Sequence, residues 1–308
     1  MDPAFANVVL ASPLALVFAV LLGALWGSFF NVCIARIPLG KSVVHPGSHC
    51  FSCGAPVKAY DNVPLLSYLW LRGRCRACGA GFSARYLWVE GLMAVFSGLL
   101  YWQFVQQDPQ TDVGIRLARF AVFFAFSGVL LVLSFIDLDT QRLPDVITLP
   151  SIAVFFAAAF ALHMAPWKER AIGLVAGYLA VRIVADGYYY LRGREGLGLG
   201  DGKLLAVMGA LLGWKALPVV VFVASLLGVL VSLPLLAIGA RRTRGHTKAG
   251  PEDEAEAAGR AEAPVEPEPE SLRYTQVPFG PFLAASALAY VFAFDRLAPL
   301  VAAWLSGE

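Results

Sequence analysis

Charge is what this 308-residue chain has least of. Asp, Glu, Lys and Arg together make up 15% of it while 58% of residues are hydrophobic, against about 25% charged residues in ordinary globular proteins. Mean hydropathy is +0.66. A soluble fold built from this composition would have too little polar surface to solvate its outside, which excludes soluble, secreted and disordered classes. Net charge is small too, +2 from 24 basic and 22 acidic residues. No strong field is available to hold a polyanion, so no nucleic acid partner is expected. The first 12 residues carry no Lys or Arg, so the first apolar stretch is expected to be a permanent anchor and not a signal peptide with a basic start. Walker, nucleophile-elbow and H-E-x-x-H sequences are missing, and Lys203 stands where a dinucleotide loop begun at Gly198-x-Gly200 would need its third glycine. What remains is a polytopic membrane protein.

A bilayer core takes roughly 20 apolar residues per helix. Pro13–Phe30, Tyr86–Val105, Phe120–Ile136, Val146–Ala165, Ala171–Leu191, Ala216–Ala240 and Phe279–Phe294 meet or approach that length, and Leu204–Trp214 is a shorter candidate that either crosses or re-enters. Letting it cross collects Arg36, Lys58, Arg72, Arg85, Arg142, Arg192, Lys203, Arg241, Arg242 and Lys248 on one side, and leaves Arg116, Lys168, Lys215 and Arg296 among the few cations on the other. The basic side is cytoplasmic by the positive-inside rule. The expected fold is therefore an all-α polytopic membrane protein of about eight transmembrane helices in a lipid bilayer, with a small zinc-stapled cytoplasmic loop subdomain. Its expected divisions are a first transmembrane helix (1–36), a cysteine-bearing cytoplasmic loop (37–84), a transmembrane core (85–242), a disordered Glu/Ala/Pro-rich linker (243–276) and a last helix with its tail (277–308). The linker cannot bury enough apolar surface to offset its ordering entropy. It reads as a solvated tether, with an acidic lure for a basic substrate segment as the alternative.

The loop holds four of the five cysteines, Cys50-x2-Cys53 and Cys75-x2-Cys78, with 21 residues between the pairs. Two short thiolate hooks on a chain long enough to fold back supply four soft ligands for tetrahedral zinc. Disulfides are the alternative, disfavoured on a reducing cytoplasmic side; iron would also fit four thiolates. A site closed by four protein ligands is structural, and His45 and His49 are not needed to complete it. Cys33, at the end of the first helix, reads as a small packing residue.

Acids near or within membrane helices are costly to bury and often functional. Asp137, Asp139 and Asp145 lie at the cytoplasmic end of the third span and the start of the fourth, and Asp201 follows Gly198-Leu199-Gly200 at the start of the short segment. The topology brings both groups to one membrane face. Two aspartates sharing a proton can hydrolyse an amide: the ionised one takes a proton from water while the protonated one polarises the carbonyl. The glycines beside Asp201 leave room for a substrate backbone. The plainer alternative has these acids capping helices or pairing with Arg142 and Lys203. Arg182 and Asp186, four residues apart, read as an ion pair.

With Gly198-x-Gly200-Asp201 reached, the chain resembles the type IV prepilin leader peptidases, bifunctional peptidase/N-methyltransferases of the GxGD class of membrane aspartyl proteases. The likeness runs through Gly27-Ser28-Phe29-Phe30-Asn31, both CxxC pairs, Asn62-Val63-Pro64-Leu65-Leu66, Arg85-Tyr86 with Val89-Glu90, Ile136-Asp137-Leu138-Asp139, Gly198–Lys203 and Pro278-Phe279-Gly280-Pro281. It implies that Asp137 and Asp201 form the catalytic pair, a choice over Asp139 and Asp145 that spacing alone leaves open, with Gly198, Gly200 and Lys203 in support. It implies as substrates type IV prepilins and pseudopilins, cut after glycine at the cytoplasmic face of the bacterial inner membrane. It further implies that the new N terminus is methylated from S-adenosyl-L-methionine, that the zinc loop (Cys50, Cys53, Cys75, Cys78) serves that transfer, and that Gly73 and Glu90 are candidates for it. Leu87 departs from the family's usual proline, the first loop lacks an insertion that some members carry, and the linker is longer than usual. The alternatives are a peptidase without methyl transfer and a proton-coupled transporter.

Overall fold

The computed structural model describes residues 3–164, 166–193, 198–246 and 278–306. Ten α-helices are formed among them: α1 Pro3–Ala11, α2 Pro13–Arg36, α3 Leu66–Trp70, α4 Arg85–Tyr101, α5 Val113–Thr140, α6 Asp145–Ala161, α7 Trp167–Arg192, α8 Leu199–Leu212, α9 Ala216–His246 and α10 Gly280–Ser306. No strand occurs among the described residues beyond two isolated bridges in the cysteine loop. The expected linker lies outside the described residues from 247 onward, its first residues closing α9.

Four stretches are long and apolar enough to cross a membrane: Pro13–Leu39, Arg85–Gln106, Val113–Thr140 and Trp167–Leu191. Asp145–Ala161, Ala216–Ser232 and Gly280–Ala293 are apolar but shorter, and the 14 residues of α8 span only about 21 Å at 1.5 Å per residue. The described helices thus give four clear spans where eight were expected. Local chemistry sets several of these lengths. The Asp112 side chain accepts from the N–H groups of Gly114 and Ile115 at 2.8 and 3.3 Å, so α5 starts seven residues before the apolar run at Phe120. In contrast, α6 stops at Ala161, where His163 turns the chain at a φ of 47°.

Large apolar side chains point outward, among them Leu14, Phe18 and Leu25 of α2 and Trp88 of α4; in a bilayer that surface costs nothing. Cohesion comes from close helix contact. α2 packs on α4 through Gly27, where a β-carbon would stand 2.7 Å from the Glu90 Cα, and the Ser97 hydroxyl donates to the Ala19 carbonyl at 2.6 Å. α7 packs on α8 in the same way: a β-carbon at Gly177 would lie 2.7 Å from the Leu205 carbonyl oxygen, and Gly173 faces Gly209. Small residues at such contacts are how membrane helices approach. Buried Arg170 of α7 then donates to the Leu211 carbonyl at 2.8 Å, and the Trp214 N–H donates to the Glu169 carbonyl at 3.2 Å. The first bond satisfies a C-terminal carbonyl of α8, and together they tie that end of α8 to the start of α7. The Arg182–Asp186 pair forms at 2.9 Å on the half-exposed outer face of α7. Between the two pairs run α5 and α10, whose Leu130, Leu133, Ile136, Leu283 and Ala287 join Leu204 and Met208 of α8 in one core.

Candidate functional site

Asp137 sits in the last turn of α5, buried, and Asp201 in the first turn of α8. The packing of α8 beside α6 and α10 brings the two into electrostatic reach of each other, although they are 64 positions apart in the chain. The Asp137 carboxylate accepts the Gly280 N–H at 3.0 Å. Gly280 is the first residue of α10, so this N–H has no partner within its own helix, and the positive end of the helix faces the carboxylate. A β-carbon at Gly280 would stand 2.6 Å from that same carboxylate oxygen. Sequence reasoning recorded this glycine within a motif but gave it no role; a glycine before a proline at the start of an apolar helix was the signal available. Gly198 is the N-cap of α8, and a β-carbon there would meet the Asp201 carboxylate at an ordinary 3.9 Å. Gly200 packs on Leu143, where a β-carbon would come within 3.3 Å.

The neighbouring acids are occupied otherwise. Asp139 is ion-paired with Arg85, and Asp145 with Lys203. Lys203 therefore engages Asp145 at the start of α6 and not Asp201, its motif neighbour. Asp137 and Asp201 appear in none of the ion pairs among the described residues. The bundle thus sorts four acids into two that are paired with cations and two that lie within electrostatic reach of each other.

In the loop, Cys50, Cys53, Cys75 and Cys78 converge, their sulfurs all within 4.8 Å of one another. Both hooks are built alike. The Cys50 N–H donates to Ala55 and the Gly54 N–H to Cys50; the Cys75 N–H donates to Ala80 and the Gly79 N–H to Cys75, all at 2.8–2.9 Å. Gly54 and Gly79 take φ of 71° and 73°, the left-handed turn that closes each hook. The Cys50 and Cys78 sulfurs are 3.8 Å apart, which matches the edge of a tetrahedron with Zn–S bonds of about 2.3 Å and is far beyond the roughly 2.05 Å of a disulfide. Backbone N–H groups of Cys53 and Ser52 lower the Cys50 thiol, toward the thiolate that a metal requires, while the neighbouring thiols push Cys78 up. Arg76, between the second pair of cysteines, grips Asp61 with two nitrogens and holds its carboxyl below the usual carboxylate range. That grip ties the second hook to the chain between the hooks.

Glu90, one turn into α4, is buried and accepts the Leu65 N–H at 2.7 Å, a contact to the loop. Gly73 takes a φ of 67°, with the Tyr68 ring where a β-carbon would fall, 2.9 Å away. Both residues line a cavity of about 580 Å³ between the end of α2, the start of α4 and the loop. Sequence reasoning did not foresee that cavity, because its walls come from three separate stretches of chain.

Fold and site define a class: helical, apolar proteins with two carboxylates brought within electrostatic reach at the ends of two helices, and four thiols gathered in a loop. Comparison with known proteins makes this specific. Residues 21–104 match the model of the bacterial peptidase A24 N-terminal domain, and residues 124–233 that of the type IV leader peptidase family. The chain is 36% identical over 246 residues to a prepilin leader peptidase/N-methyltransferase of Neisseria gonorrhoeae, covering 72% of this chain and 82% of that protein. It is 38% identical over 239 residues to one from Dickeya chrysanthemi, covering 69% and 80%, and 33% identical over 283 residues to one from Aeromonas salmonicida, covering 84% of each. No solved structure matches. The chain belongs to the type IV leader peptidase family.

Proposed function

We propose that this chain is a prepilin leader peptidase and N-methyltransferase, an inner-membrane enzyme that removes the leader from type IV prepilins and pseudopilins and methylates the residue it exposes. The observation that carries the peptidase reading is the pairing of Asp137 with Asp201 while the adjacent acids are held by Arg85 and Lys203. One aspartate, ionised, takes a proton from the attacking water; the other, protonated, donates to the scissile carbonyl. Collapse of the tetrahedral species breaks the C–N bond, and the proton taken from water passes to the departing amine. The Gly280 N–H holds Asp137 in place, Gly198 caps the helix that carries Asp201, and Gly200 lets that helix pack on Leu143.

The methyl-transfer reading is supported by the relatives' names and by the four-thiol centre, whose sulfur spacing suits structural zinc. S-Adenosyl-L-methionine supplies the methyl group: the N–C bond forms as the C–S bond breaks, the electron pair stays on sulfur and the amine sheds a proton. Cys50, Cys53, Cys75 and Cys78 would hold the zinc, which keeps the loop folded over the ends of α2 and α4; Gly73 and Glu90 stand at that junction.

Eight crossings remain our reading, with α6, α8, α9 and α10 as shorter companions to the four long spans, and with the dyad and the cysteine loop facing the cytoplasm. The concentration of Arg and Lys beside both supports that orientation. The test is one prepilin incubated with purified chain and the methyl donor in detergent. Loss of the leader together with a gain of one methyl group is expected; loss of the leader alone would leave the peptidase and remove the transferase.

A further inference from the structure

The cavity beside the cysteine loop has a volume of about 580 Å³, within the roughly 300–1,000 Å³ of small-molecule sites and ample for an adenosyl amino acid of about 27 non-hydrogen atoms. Its charges are unevenly placed. The floor, near the helices, is formed by Asn31 and Glu90, both more than nine-tenths buried; the exposed rim carries Lys41 and His45. Tyr68 and Tyr86 give it aromatic walls. Of the two acids that line it, Asp61 is committed to Arg76. Glu90 is in none of the ion pairs among the described residues and is held only by neutral donors, the Leu65 N–H and Ser28. A buried carboxylate without a cation is costly, and the cost is relieved by taking up a proton or by a cation that arrives with a ligand.

We propose that this cavity is the methyl-donor site, with Glu90 at its floor as the counter-ion for the sulfonium-bearing part of S-adenosylmethionine and the basic rim facing the carboxylate end. The assignment rests on the transferase reading above. Binding of donor and of its demethylated product tests it without turnover, because the product, S-adenosylhomocysteine, has a neutral thioether in place of the sulfonium and is otherwise nearly the same shape. Titration calorimetry on the full-length chain in detergent would compare wild type, Glu90→Gln and Ala35→Trp. Glutamine keeps an acceptor for the Leu65 N–H and removes only charge; tryptophan at Ala35, on the α2 wall, fills the space.

Wild type should prefer the sulfonium ligand. Glu90→Gln should lose roughly tenfold or more in affinity for it and keep its affinity for the thioether, which also shows that the variant is folded. Ala35→Trp should lose both ligands. Equal loss of both ligands in Glu90→Gln would overturn the counter-ion role. Wild-type affinities in both variants, with methylation of cut pilin intact in the wild type, would overturn the cavity assignment and leave the transferase reading standing. If the wild type itself transfers no methyl group, the transferase reading fails, and the donor site with it.

Discussion

The cysteine hooks and the aspartate pair are assembled in opposite ways. Each hook is local: two cysteines three apart, a glycine in the left-handed region and two backbone hydrogen bonds close it within six residues. The aspartate pair owes nothing to local sequence. Asp137 ends one helix and Asp201 begins another, and they meet only because α8 is clamped along α7, tied at its far end by Arg170 and packed beside α10. A locally built site fails when a ligand is lost, and a tertiary site also fails when a distant contact moves it.

The largest effect expected follows directly from the pair. Asp201→Asn and Asp137→Asn should each lower prepilin cleavage by roughly 10²–10⁴-fold, the range of a general acid or base, while methylation of separately cut pilin continues. Next come the hooks. Cys75→Ser, or stripping the metal with a chelator, should lower methylation of cut pilin at least as much as cleavage of uncut pilin, measured side by side with the metal content. Equal methylation before and after would make the centre purely architectural.

Gly280→Ala sharpens the contrast, since it changes no acid and lies 143 residues from Asp137. The new β-carbon falls 2.6 Å from the Asp137 carboxylate oxygen, so one of them must shift, and misplacing a reacting group by about 1 Å costs about 10²-fold. Cleavage kinetics should show a lowered kcat and an unchanged metal content. Gly177→Ala, in the α7–α8 contact, forces a β-carbon to within 2.7 Å of the Leu205 carbonyl oxygen. Overpacking of this kind costs about 1–3 kcal/mol, to be read as a lowered Tm in detergent with a parallel fall in cleavage. The smallest effect should come from Asp145→Asn. Its pair with Lys203 is partly exposed, and such pairs are worth about 0–1 kcal/mol, so cleavage and Tm should barely change.

The same contrast decides what could be read in advance. The gathering of the four cysteines needed only their spacing, because the geometry is encoded within each hook. That acids gather at one membrane face was legible from charge and hydropathy, but spacing did not separate Asp137 from Asp139 and Asp145; that choice came from resemblance to a family. In the structure Arg85 and Lys203 pair with the other two. The helix ends were harder to read. Val146–Ala165 looked like a full span, but the helix stops at Ala161, because apolar composition says little about where a chain turns. The Gly280 contact and the cavity at Glu90 were beyond reach, since each joins residues that only packing brings together.

The central claim is that Asp137 and Asp201 act as one cleavage site, separable from methyl transfer. Mass spectrometry of a single prepilin incubated with the chain and S-adenosylmethionine, wild type against Asp201→Asn, addresses it most directly when the same variant is also given pilin whose leader is already gone. The account predicts an intact prepilin in the first reaction and a methylated pilin in the second. Leader removal by Asp201→Asn at the wild-type rate would contradict it.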